Sequence, residues 1–220
     1  MTGEESGRGV ACLVAATAVL AALVALEALG PLRALDSLVR PGGLPGPRGL
    51  WEALSLTANA GAMALAVLAL LAAEAARLGG VRRWTAALAL SLLIAVLTAE
   101  ALKPALGVPR PRGAPGEAGL LAALEAYSFP SGHTSRASAA ACRLSEAGPR
   151  WALLAWLWAG LVALSRVALA AHWLSDVIAG VAVGTWADSL VRVGEPRWRR
   201  LWGLAARGPL RRFGVLDGRT

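Results

Sequence analysis

The sequence predicts an all-α fold, an integral membrane bundle of six helices, and three observations carry that prediction. Mean hydropathy is +0.56 and only 16% of residues are charged, where a soluble domain of this size carries about a quarter. The apolar residues gather into runs near the roughly 20 residues that a helix needs to cross the hydrocarbon core. Between two of these runs lies a stretch of small residues, the composition of a helix packed inside a bundle.

Taken in order, the first span covers about 10–30 and, with no separable cleavage signature in its alanine-rich sequence, reads as a retained span. The loop 31–54 contains RPGGLPGPRG, a Pro/Gly turn cluster preceded by Leu32, Leu35, Leu38 and Val39 at helical spacing. It reads as an interfacial helix and a turn, with Trp51 at headgroup depth. Spans two and three fall near 55–76 and 84–102. The loop 104–130 is punctuated by Pro104, Pro109, Pro111, Pro115 and Pro130 and has room for a turn or two of amphipathic helix in LLAALEAY.

The segment 131–148, SGHTSRASAAACRLSEAG, carries Arg136, Arg143 and Glu146, so hydropathy rejects it as a span. Its small side chains nevertheless let neighbouring backbones approach, and its length corresponds to about 27 Å of helix. It reads as a central span shielded from lipid by the others. The last two spans lie near 151–168 and 173–191 and a basic tail covers 192–220, so that 1–220 forms a single membrane-embedded domain. Cys12 and Cys142 match no metal or disulfide pattern and read as small apolar fillers. Arg143 and Glu146, at i and i+3, read as a salt bridge at the cytoplasmic end.

The net charge of +8 does not point to nucleic acid, because no basic run is interleaved with stacking aromatics and eight of the 22 basic residues follow Val191. That tail suits an anionic lipid surface.

Three strings hold nearly all the unusual polar residues: KPALGVPRP (103–111), PSGH (130–133) and SRVALAAHWLSD (165–176). In the third, His172 and Asp176 stand at i and i+4 on one helical face, so the carboxylate can accept Nδ1–H and leave Nε2 as a nucleophilic lone pair. Taken alone, the string equally describes a buried histidine satisfied by its neighbour. In PSGH, Gly132 permits close backbone approach at a helix N-terminus, which receives phosphate oxygens, and His133 is placed to protonate a leaving group. Taken alone, it is a helix-start turn. Lys103, Arg110 and Arg166 end apolar spans; singly each is a snorkelling anchor, together they match the three equatorial oxygens of a transferring phosphoryl group.

Topology joins the strings. Only if 131–148 crosses do Lys103, Arg110, His133, Arg166, His172 and Asp176 share one face of the membrane. Six spans then place fourteen of the 22 basic residues on the opposite side, which makes that side, with both termini, cytoplasmic and puts the site at the extracytoplasmic ends of the central helices.

In order and spacing these strings resemble the three signature motifs of the type 2 phosphatidate phosphatase superfamily. The resemblance covers about 103–176 and meets every defining position. It implies that His172 attacks phosphorus, that Asp176 orients it, and that His133 protonates the leaving group. It further implies that Lys103, Arg110, Arg166, Ser131 and the amide of Gly132 hold the phosphoryl oxygens, with neither metal nor cofactor, on a lipid phosphate or diphosphate drawn from membrane lipids. YSFPSGHTSRA resembles the polyisoprenoid diphosphate phosphatase branch in its arginine three residues after the histidine. Arg136, one turn from His133, is placed to reach a second phosphate; its other reading is a structural bridge to Glu100 or Glu125.

Four alternatives remain open at this point: a phosphatidate or phosphatidylglycerophosphate-type phosphatase, a lipid phosphotransferase, a vanadate-dependent haloperoxidase with a similar anion pocket, and a lipid-binding or flipping module with a dead site. A lipid headgroup must enter while its tail stays in the bilayer, so a lateral opening is expected near 31–54 and 112–128.

Overall fold

The computed structural model describes residues 3–112, 126–205 and 214–216. Helix α1 (Gly3–Leu29) is followed by two short helices, α2 (Leu32–Asp36) and α3 (Arg48–Leu56). Then come α4 (Ala60–Leu78), α5 (Arg83–Leu106), α6 (Gly132–Leu144), α7 (Pro149–Ala168), α8 (Leu174–Val193) and α9 (Glu195–Ala205). Five of these, α1 from Gly7 onward, α4, α5, α7 and α8, are long and apolar enough to cross a membrane.

The sixth expected span is α6, and it is not among those five. At 13 residues it spans about 20 Å rather than the expected 27 Å, with a single 3-10 turn (Ser145–Ala147) after it. It occupies the centre of the bundle, touching α5, α7 and α8. Ala137, Ala139 and Ala141 are fully buried.

Two glycines make that position possible. A Cβ on Gly180 of α8 would stand 2.8 Å from the carbonyl oxygen of Ser131, and one on Gly184, a turn later, would come closer still to that of Ser135. Only a bare backbone lets α6 and α8 run side by side at this separation. The two helices run parallel. Ser131 N–H donates to the carbonyl of Asp176 at 3.0 Å at one end, and Arg143 bonds Asp188 at the other.

Several boundaries differ from expectation. Residues 55–76 are not one helix: α3 stops at Leu56, and α4 starts at Ala60 because Asn59 caps it, Oδ1 accepting from Gly61 N–H at 2.9 Å and Ala62 N–H at 3.3 Å. Trp51 lies within α3. The third span runs through Pro104 to Leu106, where Gly107, in the left-handed region, ends it. The interfacial helix expected from Leu32 to Val39 is shorter, ending at Asp36. LLAALEAY falls outside the described residues except for Ala126 and Tyr127.

The fold is not wholly helical. Val81–Arg82 (β1) pairs in parallel with Val215–Leu216 (β2), so the chain after α8 returns to the α4–α5 turn. Arg83 donates to Glu195 at 2.6 Å, which ties the start of α9 to the same end. Cys12 is exposed on α1 and Cys142 half-buried on α6.

Candidate active site

The site is built where α5 and α7 end and α6 and α8 begin. Ser131 caps α6: its Oγ accepts from Thr134 Oγ1 at 3.1 Å and faces Thr134 N–H at 3.5 Å. Asp176 stands at the third position of α8, where an acid reaches back to the residue before the helix. Its Oδ2 accepts Trp173 N–H at 2.8 Å and faces His172 Nδ1 at 3.2 Å. The carboxylate that faces the imidazole is therefore itself held by the helix start. His172 and Asp176 are 2% and 0% exposed.

His172 lies in the short connection between α7 and α8, which is tightly turned. Ala170 takes φ 49°, a left-handed conformation that costs an L-residue about 1–2 kcal/mol. The carbonyl of Arg166 accepts from Ala171 N–H at 3.0 Å and His172 N–H at 3.3 Å, while Gly42 N–H reaches Val167 O at 2.9 Å from the 31–54 loop. Burial, then the charges of Arg166, Arg110 and Lys103, push the imidazole well below its ordinary pKa. Both causes favour the neutral ring.

His172 opens onto a cavity of about 410 Å³ lined by Lys103, Arg110, Arg136, Arg166, Gly132, His133 and one carboxylate, Glu100, together with Asn59, Ala60 and Val96. Four cations against one carboxylate make this a receptacle for an anion. Lys103 Nζ bonds Glu100 Oε1 at 2.6 Å. Arg110 Nη1 reaches Ala171 O at 3.4 Å, Arg136 Nε bonds Ala58 O at 2.9 Å, and Arg166 bonds Ser55 Oγ. Gly132 leaves room there, since a Cβ would stand 3.2 Å from Arg136 Nη1 and 3.6 Å from Glu100 Oε1.

The model of the PAP2 superfamily matches residues 84–199, just over half of the chain. The chain belongs to the PAP2 superfamily. An undecaprenyl-diphosphatase from Sulfolobus acidocaldarius is 36% identical over 105 residues, which cover 47% of this chain and 51% of that one. A lipid A 1-phosphatase from Rhizobium johnstonii is 36% identical over 81 residues, 37% of this chain and 33% of the relative. The chain thus spans about half the length of the first of these curated relatives and about a third of the second. The crystal structure of a transmembrane PAP2-type phosphatidylglycerolphosphate phosphatase from Bacillus subtilis shares the fold, with TM-score 0.67 over 84% of this chain and 96% of that one, at 20% identity. With five helices of spanning length among the described residues, the chain is a PAP2 membrane protein.

Of the site residues expected from the sequence, Lys103, Arg110, Gly132, His133, Arg136, Arg166 and His172 line the cavity, whereas Ser131 and Asp176 do not. Ser131 is fully buried. Arg136 leans on the Ala58 carbonyl, a partner that the sequence reading did not identify; Glu125 lies outside the described residues. Ser55, Ala58 and Asn59 reach the site through the break between α3 and α4, which the apolar run 55–76 does not reveal.

An apolar groove of about 360 Å³ lies between α4 and α5, lined by residues including Met63, Val67, Leu71, Leu92 and Leu93. It shares Ala60, Val96 and Arg136 with the anion cavity. The groove's lining includes no residue of the 31–54 loop, and most of the 112–128 loop lies outside the described residues. Beside the 31–54 loop is a more polar cavity of about 660 Å³ whose walls include Glu27, Arg33, Asp36 and Trp173.

Proposed function

We propose that this protein is a metal-independent membrane lipid phosphatase that hydrolyses an isoprenoid or polyprenyl diphosphate through a phosphohistidine. The observation that carries the reading is the buried His172–Asp176 pair opening onto a four-cation cavity; the undecaprenyl-diphosphatase relative supports the substrate class.

In this reading Nε2 of His172 attacks the terminal phosphorus while Asp176 holds Nδ1–H. The phosphorus–oxygen bond to the leaving group breaks and His133 gives that oxygen a proton. Entry of the anionic headgroup favours the imidazolium of His133 that this step needs. His133 then takes a proton from water, whose oxygen displaces His172 and releases phosphate. Lys103, Arg110, Arg166 and the amide at Gly132 stabilise the charge on the equatorial oxygens, Ser131 fixes the loop that presents that amide, and Arg136 contacts the second phosphate. The lipid tail lies in the α4–α5 groove.

We assign α6 as a sixth crossing, giving a single domain over 1–220 with cytoplasmic termini and an extracytoplasmic site, on the distribution of basic residues. A second reading, a phosphomonoester phosphatase acting on a glycolipid, draws on the lipid A 1-phosphatase relatives.

The test is phosphate release by purified protein in detergent with excess chelator, comparing farnesyl diphosphate, farnesyl phosphate and phosphatidate, with His172→Ala as control. Chelator-resistant release, fastest from the diphosphate and lost in the variant, is expected. Preference for a monophosphate favours the second reading, and transfer of phosphate to an added alcohol in place of free phosphate replaces hydrolysis with phosphotransfer.

A further inference from the structure

The first backbone N–H groups of a helix have no partner within the helix. In α8 one of them is Ser175 N–H, and it donates to Asp36 Oδ1 at 2.8 Å; the Ser175 hydroxyl donates to Asp36 Oδ2 at 2.9 Å. Both acceptor atoms belong to a residue 139 positions earlier, at the end of α2, outside all three motifs. Leu32 of the same short helix is buried in a cluster with Phe129 and with Ala179 of α8. The apolar side of α2 therefore docks on α8 and its last residue completes the cap.

The residue clamped in this way is the neighbour of Asp176, whose carboxylate holds both Trp173 N–H and His172 Nδ1. From the other flank, Ser131 N–H bonds the Asp176 carbonyl. The first turn of α8 is thus gripped from two sides. Asp36 does not line the anion cavity; it lines the separate polar cavity with Glu27 and Arg33. It touches no reacting atom.

We propose that Asp36 is a positioning residue for the catalytic pair: its two hydrogen bonds to Ser175 fix the first turn of α8 and, with it, the directions of the Asp176 carboxylate and the His172 ring. The proposal rests on His172 being the nucleophile. It explains why the 31–54 segment, read from sequence as an interfacial element, is attached to the catalytic turn.

The experiment measures kcat and KM of the full-length protein in detergent with farnesyl diphosphate, for wild type, Asp36→Ala, Asp36→Asn and Ser175→Ala, with thermal unfolding in parallel. Because small misplacements of reacting groups cost rate rather than affinity, Asp36→Ala is expected to lose about tenfold in kcat with KM within about twofold. Asn can still accept Ser175 N–H and donate to the hydroxyl oxygen, so Asp36→Asn is expected to keep about half of kcat or more. Ser175→Ala falls between, and the double variant Asp36→Ala/Ser175→Ala is no slower than Asp36→Ala. Wild-type kcat in Asp36→Ala, a loss confined to KM, or an asparagine variant as slow as the alanine one overturns the proposal. If Asp36→Ala does not fold, Ser175→Ala decides, and wild-type kcat there overturns it. An inactive wild type sinks the phosphatase reading, and the positioning role falls with it; an active wild type with an indifferent Asp36 sinks the positioning role alone.

Discussion

The two ends of α5, α6 and α8 both bury charge, and they handle it differently. At the end away from the cavity, Asp188 accepts from Arg143 Nε, from Arg192 Nε at 2.6 Å and from Ser91 Oγ at 3.1 Å. Glu146 is shared by Arg143 at 3.1 Å and Arg192 at 2.7 Å. Two arginines meet two carboxylates, and Trp84 Nε1 closes on the Arg143 carbonyl at 3.0 Å. At the cavity end four cations face one carboxylate. The first set is balanced within the protein and ties three helices together. The second carries an excess of positive charge that a bound anion would balance, which is how a binding site differs from a structural network made of the same residue types.

This contrast can be broken at several points. The largest effect belongs to His172→Ala, expected to lower turnover by at least about a thousandfold because the proposed mechanism takes its nucleophile from that ring; a steady-state assay with the diphosphate checks it. Next, Lys103→Ala or Arg166→Ala is expected to lower kcat by about 10²–10³ with little change in thermal unfolding. Asp188→Ala should do the reverse. Removing the more buried of the two carboxylates that hold Arg143 is expected to cost about 3 kcal/mol of stability, while turnover per folded molecule stays within a few-fold. Equal losses of activity and stability at both ends would erase the distinction.

Arg136→Ala sharpens the cavity end: the ratio of diphosphate to monophosphate turnover is expected to fall about tenfold, the worth of one charge-assisted contact. An equal loss on both substrates makes Arg136 a structural residue held by Ala58. The smallest effect concerns the glycines that let the two ends share one pair of helices. Gly184→Ala, forced against the Ser135 carbonyl, is expected to lower stability by about 1–3 kcal/mol and to reduce activity only through the folded fraction. Thermal unfolding against specific activity separates the two.

The cavity was legible in the sequence because its chemistry is concentrated in three strings, and charged residues beside apolar spans stand out. The central place of α6 was legible through its alanines and serines, although its length was not, since Leu144 gives way to a 3-10 turn that composition does not announce. The break at Thr57–Asn59 was hidden because no charged residue interrupts the chain from Ala53 to Ala73. Gly180 and Gly184 were hidden for a different reason: among 25 glycines, spacing alone does not single out the two that touch another backbone. Asp36 and Ser55 could not be read at all, because their partners lie 139 and 111 positions away and only the fold joins them.

The most direct measurement is to trap the covalent intermediate. Protein is mixed with farnesyl diphosphate labelled on the terminal phosphorus, quenched into alkali, in which phosphohistidine survives, and mapped by peptide. The account predicts label on the peptide containing His172, lost on acid treatment and absent from His172→Ala. Label on His133, or turnover with no covalent label at any quench time, would contradict it.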